Sequence, residues 1–86
     1  MLKFPNASRS YDPTRHCVRF WGHDGAWEVS FFVAEDALLK LTPSAAAGEA
    51  SLLGAFDQNR ERIVRTALKV YKGRRKGSYE LSGSDF

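Results

Sequence analysis

Cysteine is almost missing from this chain: Cys17 is its one thiol. A lone thiol excludes an internal disulfide, argues against a Cys-rich structural zinc site, and fits a reducing cytoplasm. No apolar run approaches the roughly 20 residues that a membrane-spanning helix requires. Near the N-terminus, Lys3 is followed by Phe4, Pro5 and Asn6, without the apolar stretch of a signal peptide. Glycine-rich phosphate loops and helix-turn-helix punctuation are both lacking. There is no internal repeat and no low-complexity tract. No nucleophile, base and orienting group come together in one motif, so no catalytic residue is assigned and no cofactor is implied.

What is present suffices for one small domain. The chain has 86 residues, of which 43% are hydrophobic and 13% aromatic. Such a core holds only about 5 kcal/mol of net stability, and self-association would add to it. The formal charge is +3 and the isoelectric point is about 9.3. That is mildly basic, well short of a dedicated nucleic-acid packer.

Period-two alternation marks the first half. Residues 1–15 read as an extended arm and turn, with a short edge strand at Leu2 to Phe4 and a polar loop from Asn6 to Ser10. Tyr11, Asp12, Pro13 and Thr14 form a turn in which the aspartate bonds the backbone beyond it. Two β-rich runs, 16–21 and 26–33, flank Gly22-His23-Asp24-Gly25 and predict a hairpin closed by that four-residue connector. The implied register pairs Trp21 with Ala26, Phe20 with Trp27, Arg19 with Glu28 and Val18 with Val29. It places Val18, Phe20, Trp27, Val29, Phe31 and Val33 on one face and sets opposite charges across the strands on the other.

Spacing then turns helical. A short helix over 34–41 carries Glu35 and Asp36 in its first turn and Leu38 and Leu41 inward, until Pro43 stops it. After the small-residue linker 44–48 comes one long amphipathic helix, 49–72. Its apolar face comprises Leu52, Phe56, Ile63, Ala67 and Val70, with Leu53, Val64 and Tyr71 at the edge. Asp57, Gln58, Glu61, Arg62, Arg65, Lys69 and Lys72 face water. Gly54 costs this helix about 1 kcal/mol relative to alanine; either another backbone comes close there or the position is simply exposed. Gly73 reads as a C-cap. A last strand over 78–82 turns Tyr79 and Leu81 to one side, and 83–86 fray unless Phe86 docks. The class is α+β: an antiparallel sheet of three to four strands packed on one short and one long helix.

Three groups of residues break the pattern and serve as candidate sites. Arg60 points into the apolar face of the long helix, so it requires a partner: Glu35, Asp36 or Asp57 in a structural pair, or a bound anion, with the Asn59 amide assisting. Lys72, Arg74, Arg75 and Lys76, near Tyr71 and Tyr79, form a basic turn fitted to a nucleic-acid backbone, or simply a solvated helix end. Trp21 and Phe32 sit on the nominally wet hairpin face with Cys17, Arg19, Glu28 and Ser30. They form either an interaction patch or a surface covered by the N-terminal arm. His16 and Cys17 start the hairpin and His23 and Asp24 end it, about 15–20 Å apart, so one metal cannot join them.

The extended N-terminus, Tyr11-Asp12, Val18-Arg19-Phe20, the hairpin, the Leu-rich short helix and the run Phe56-Asp57-Gln58-Asn59-Arg60-Glu61-Arg62-Ile63 together resemble the DUF1488-like family of small uncharacterised bacterial proteins. The resemblance spans roughly Leu2 to Leu81 and rests mostly on core positions. It implies a cytoplasmic bacterial protein of α+β build and supplies no catalytic residues. The expectation is a non-catalytic interaction module whose partner is a protein or a second copy, with no membrane role. The alternatives are weak nucleic-acid binding through residues 72–76 and anionic-ligand binding at Arg60.

Overall fold

Alternating large apolar residues between Val18 and Val33 build the inner face of a sheet, and the apolar stripe of the later helices lies across it. The computed structural model describes residues 2–5, 8–71 and 78–86. In chain order it contains β1 (Leu2–Lys3), β2 (Arg9–Asp12), β3 (Cys17–Asp24), β4 (Trp27–Ala34), α1 (Glu35–Leu41), α2 (Glu49–Gln58), α3 (Arg60–Val70) and β5 (Ser78–Leu81). A 3-10 turn over Gly83–Asp85 follows. The sheet runs β1-β3-β4-β5, with β2 also paired to β3. The α+β class holds, and every pairing but one is antiparallel.

The exception is β5, which runs parallel to β4, whereas the sequence pointed to an antiparallel sheet. A parallel neighbour needs a crossover connection, and the helices between β4 and β5 supply it. The N-terminal arm is more regular than expected. β1 pairs with residues 23–24 and β2 with residues 17–20, both along one edge of β3. Asp12 accepts the backbone N–H of Thr14 and of Arg15 at 3.0 and 3.1 Å, the turn chemistry anticipated for it.

The hairpin register differs from the predicted one. Asp24 pairs with Trp27, Phe20 with Phe31, Arg19 with Phe32 and Val18 with Val33. The turn is the two residues Gly25-Ala26, with Gly25 at φ 62 as the first central position of a type II′ turn demands. Gly22 and His23, placed in the connector by sequence, belong to the strand. The displacement is four residues, an even number, so the sidedness survives. Val18, Phe20, Val29, Phe31 and Val33 are all fully buried. Trp27 is the casualty: expected opposite Phe20, it pairs instead with Asp24 beside the turn and is 38% exposed.

The long helix is also two pieces. Asn59, at φ −114 and ψ 15, separates α2 from α3. Its Nδ2 donates to the Ala55 carbonyl and to the Thr42 hydroxyl, each at 2.8 Å. An amide competing for a carbonyl of the preceding turn, while tethered to the end of α1, is a sufficient cause for the break. The backbone bond from Ile63 to the Asn59 carbonyl carries the helix across it. The apolar stripe therefore stays in phase, and Leu52, Phe56, Ile63 and Ala67 are buried.

Polar ties fix the margins. Arg9 grips Asp57 with two parallel bonds of 2.9 and 2.7 Å, joining β2 to α2. Tyr71 donates to the Asp24 carboxylate at 2.6 Å. The 3-10 turn is held on α1 by Gly83 donating to Asp36 and by Lys40 donating to the Gly83 carbonyl. Phe86 packs against the core beside it.

Two glycines should respond in opposite directions. At Gly54, a half-buried position, an added Cβ meets nothing within 4 Å among the described residues, so no other backbone comes close there. Gly54→Ala should raise stability by up to about 1 kcal/mol. At Gly22 the same Cβ would lie 2.7 Å from the Phe4 ring and 2.8 Å from the Lys3 carbonyl. Gly22→Ala must displace the β1 backbone and should lower stability by about 1–3 kcal/mol. Urea unfolding of both variants checks the pair of signs.

A pH dependence follows from the Arg9–Asp57 fork. The bond from Arg9 holds the Asp57 carboxyl below its ordinary value of 3.8, and the nearby charges of Arg9 and Arg60 add to this. A depressed carboxyl contributes stability that is complete above its unfolded value and is lost as pH falls through the folded one. Asp57→Asn should therefore be less stable than the parent at pH 6, with the gap closing below about pH 4. Urea midpoints from pH 6 to 2.5 read this directly.

Candidate functional site

The buried residues of all three helices join one cluster with the inner-facing residues of the sheet. The opposite face carries Cys17, Arg19, Trp21 and His23 from β3, Glu28, Ser30 and Phe32 from β4, and Glu80 from β5, as the pairing registers require. Arg19, Trp21, His23, Ser30 and Phe32 remain partly exposed, and Glu28 and Glu80 are exposed.

Two stacks organise this face. Arg19 lies over the Trp21 ring at 4.6 Å, donates to the Ser30 hydroxyl at 2.9 Å and reaches Glu28 at 3.3 Å. The Arg19–Glu28 pair expected from sequence thus exists, but along a stretched diagonal, because Arg19 stands directly opposite Phe32 and Glu28 opposite His23. Arg15 lies over the Phe32 ring at 3.9 Å and reaches Glu80 at 3.4 Å. Each stack joins an aromatic ring, a guanidinium and a carboxylate. Cation–π contact stabilises such a stack by about 0.5–1 kcal/mol where exposed. Arg15 and Glu80 were missed by sequence reasoning. Strand parity, which sets Glu80 opposite Phe32, was a signal for the carboxylate alone, because Arg15 lies in the turn before β3.

Cys17 lies in the same region but is buried. Burial pushes its thiol up, and Asp12 adds to this. The thiolate is therefore scarce near neutral pH, which suits a packed side chain better than a nucleophile.

Asn59 and Arg60 sit at the α2–α3 junction. Both amide hydrogens of Asn59 serve the junction, as described above. Arg60 lies with its guanidinium carbon 5.7 Å from the Phe56 ring centroid, and its Nη1 atom is sealed from solvent. Of the three acids named as partners, Asp57 lies close enough for Arg60 to act on its carboxyl. Asp36 instead holds the C-terminal turn. A cleft of about 560 Å³ opens beside Arg60, lined also by Phe4, Asp57, Glu61 and Arg65.

The basic turn of Lys72, Arg74, Arg75 and Lys76, like the Gly73 cap, lies outside the described residues. No helix among the described residues is long and apolar enough to cross a membrane.

Comparison with curated proteins and with solved structures finds no match. A family model described as a protein of unknown function, DUF1488, matches residues 2–82. The match takes in every strand and helix that builds the two faces of the sheet, and the chain belongs to the DUF1488 family.

Proposed function

We propose that this protein is a non-catalytic interaction module that uses the uncovered face of its sheet, and that a second copy of the chain is the favoured partner. One observation carries the reading: the helices all pack on one side, leaving Trp21 and Phe32 on the other, each with a guanidinium, of Arg19 and Arg15, over its ring. Tryptophan, other aromatics and arginine are the residues that dominate binding energy at protein interfaces. They are rigid, broad and already oriented here, so little side-chain freedom is lost on docking.

A two-fold interface must be self-complementary. This face has both signs of charge in a matched set, with Arg15 and Arg19 against Glu28 and Glu80. A rotated copy can therefore exchange arginine–carboxylate partners without like-charge juxtaposition. The small core gives the same argument from stability, since covering this face adds apolar burial that 86 residues alone supply sparingly.

Sedimentation equilibrium over a range of concentrations tests the reading. A monomer–dimer equilibrium is expected, weakened at least about 30-fold by Trp21→Ala with Phe32→Ala, the loss typical of hot-spot side chains. The double variant should keep its far-UV circular dichroism. A strict monomer at about 100 μM sinks the self-association, and dimerisation unchanged in the double variant sinks this face as its site.

A further inference from the structure

The helical layer carries a second surface with a different chemistry. Arg62, Arg65 and Lys69 are exposed on the side of α3 turned from the core. They line one cleft of about 480 Å³ between α3 and the C-terminal 3-10 turn, together with Thr66, Asp85 and Phe86. None of the three cations is within ion-pair distance of a carboxylate among the described residues. The one acid in the cleft, Asp85, accepts the Ser82 backbone N–H at 2.7 Å in a capping box. Glu61 is the only acid in the helix.

We infer that this row of Arg62, Arg65 and Lys69 binds the phosphodiester backbone of a nucleic acid. Positions i, i+3 and i+7 repeat along one side of a helix. At 1.5 Å per residue the row is about 10 Å long. A nucleic-acid strand advances about 3.4 Å per phosphate along a duplex, so about three phosphates pass in that length. A row of this kind matches a polymer of evenly spaced anions; a single phosphate would call for donors converging on one point. A protein partner would call for apolar anchors at the centre of the contact. Here the only aromatic is Phe86, at the rim and packed against the core. Contacts to phosphate alone carry no base readout, so the binding is indifferent to sequence.

This surface is independent of the sheet face, and its test reads a different property. A fluorescein-labelled 20-base-pair duplex is titrated with the full chain, and anisotropy is followed from 50 to 200 mM salt. Binding is expected at 50 mM, with a log–log salt slope of about −2 to −3 for three neutralised phosphates. Arg62→Glu with Arg65→Glu and Lys69→Glu should weaken it at least tenfold with the melting temperature retained. If that variant fails to fold, the corresponding triple glutamine variant is read in its place and should flatten the slope. Three results would overturn the inference: no binding at 50 mM salt, competition by poly-glutamate equal to that of unlabelled duplex at matched charge, or undiminished binding by the α3 variant while Arg74→Glu with Arg75→Glu abolishes it.

Discussion

Everything in this fold is referred to one aromatic cluster on the inner face of the sheet. Phe20 stacks on Phe31 with centroids 5.3 Å apart, and Phe31 stacks on Tyr79 at 5.5 Å. Phe4 leans on both Phe20 and Phe31, and Phe56 meets Phe20 at 5.2 Å. These five rings come from the N-terminal arm, β3, β4, α2 and β5, so one contact set ties together segments that are distant in the chain. Each pair adds about 0.5–1.5 kcal/mol beyond its buried area, which matters in a domain whose total margin is small. The register of β5 belongs to the same cluster, because Tyr79 stands opposite Phe31 on β4 and stacks on it. The buried Gly22 follows too: Phe4 can reach Phe20 and Phe31 only if the next inward position on β3 lacks a side chain.

A core gathered on one side leaves the other side of the sheet to fend for itself. Solvent-facing strands commonly carry polar residues, yet Trp21 and Phe32 stand there. Each is shielded by a guanidinium instead of by another layer. Arginine suits this task because its plane lies flat on a ring while its edge still bonds to Glu28, Ser30 or Glu80. Such a surface keeps charged groups in water and retains apolar area that docking can remove from water, which an all-polar face would lack.

Much of this was legible in the sequence, for a reason that also explains the errors. Side-chain parity in strands is insensitive to even slips, so the inward and outward sets were recoverable although the pairing was wrong by four residues. The Gly25-Ala26 turn was concealed because Gly22 reads as turn punctuation, and only its contact with Phe4 gives it a place in a strand. The helix stripe survived the break at Asn59 because the backbone bond there keeps the phase. The break itself depends on Thr42, seventeen residues away, which no local window can see. Strand direction for β5 was not written in its four residues; it lay in the length of the helical connection before it. Arg60 stood out by its position on the wheel, but its neighbours are set by tertiary packing that a wheel does not display.

The charge distribution separates the two surfaces more sharply than the net value of +3 implies. On the sheet face arginines and carboxylates are engaged with one another, so its potential is nearly cancelled at a distance and its attraction is of short range. On α3, Arg62, Arg65 and Lys69 project without such cancellation, and their field extends about a Debye length into solvent, roughly 8–10 Å at physiological salt. Under the two proposals, one face would select by shape and contact and the other by charge and salt. Because they lie on opposite sides of the same two-layer domain, occupation of one does not sterically exclude occupation of the other. A dimer formed through the sheet would carry two α3 rows on its outer sides. Two weak, salt-sensitive rows on one particle act at high effective concentration on a long polyanion, so pairing through the sheet face would strengthen backbone binding without adding a single new contact to it.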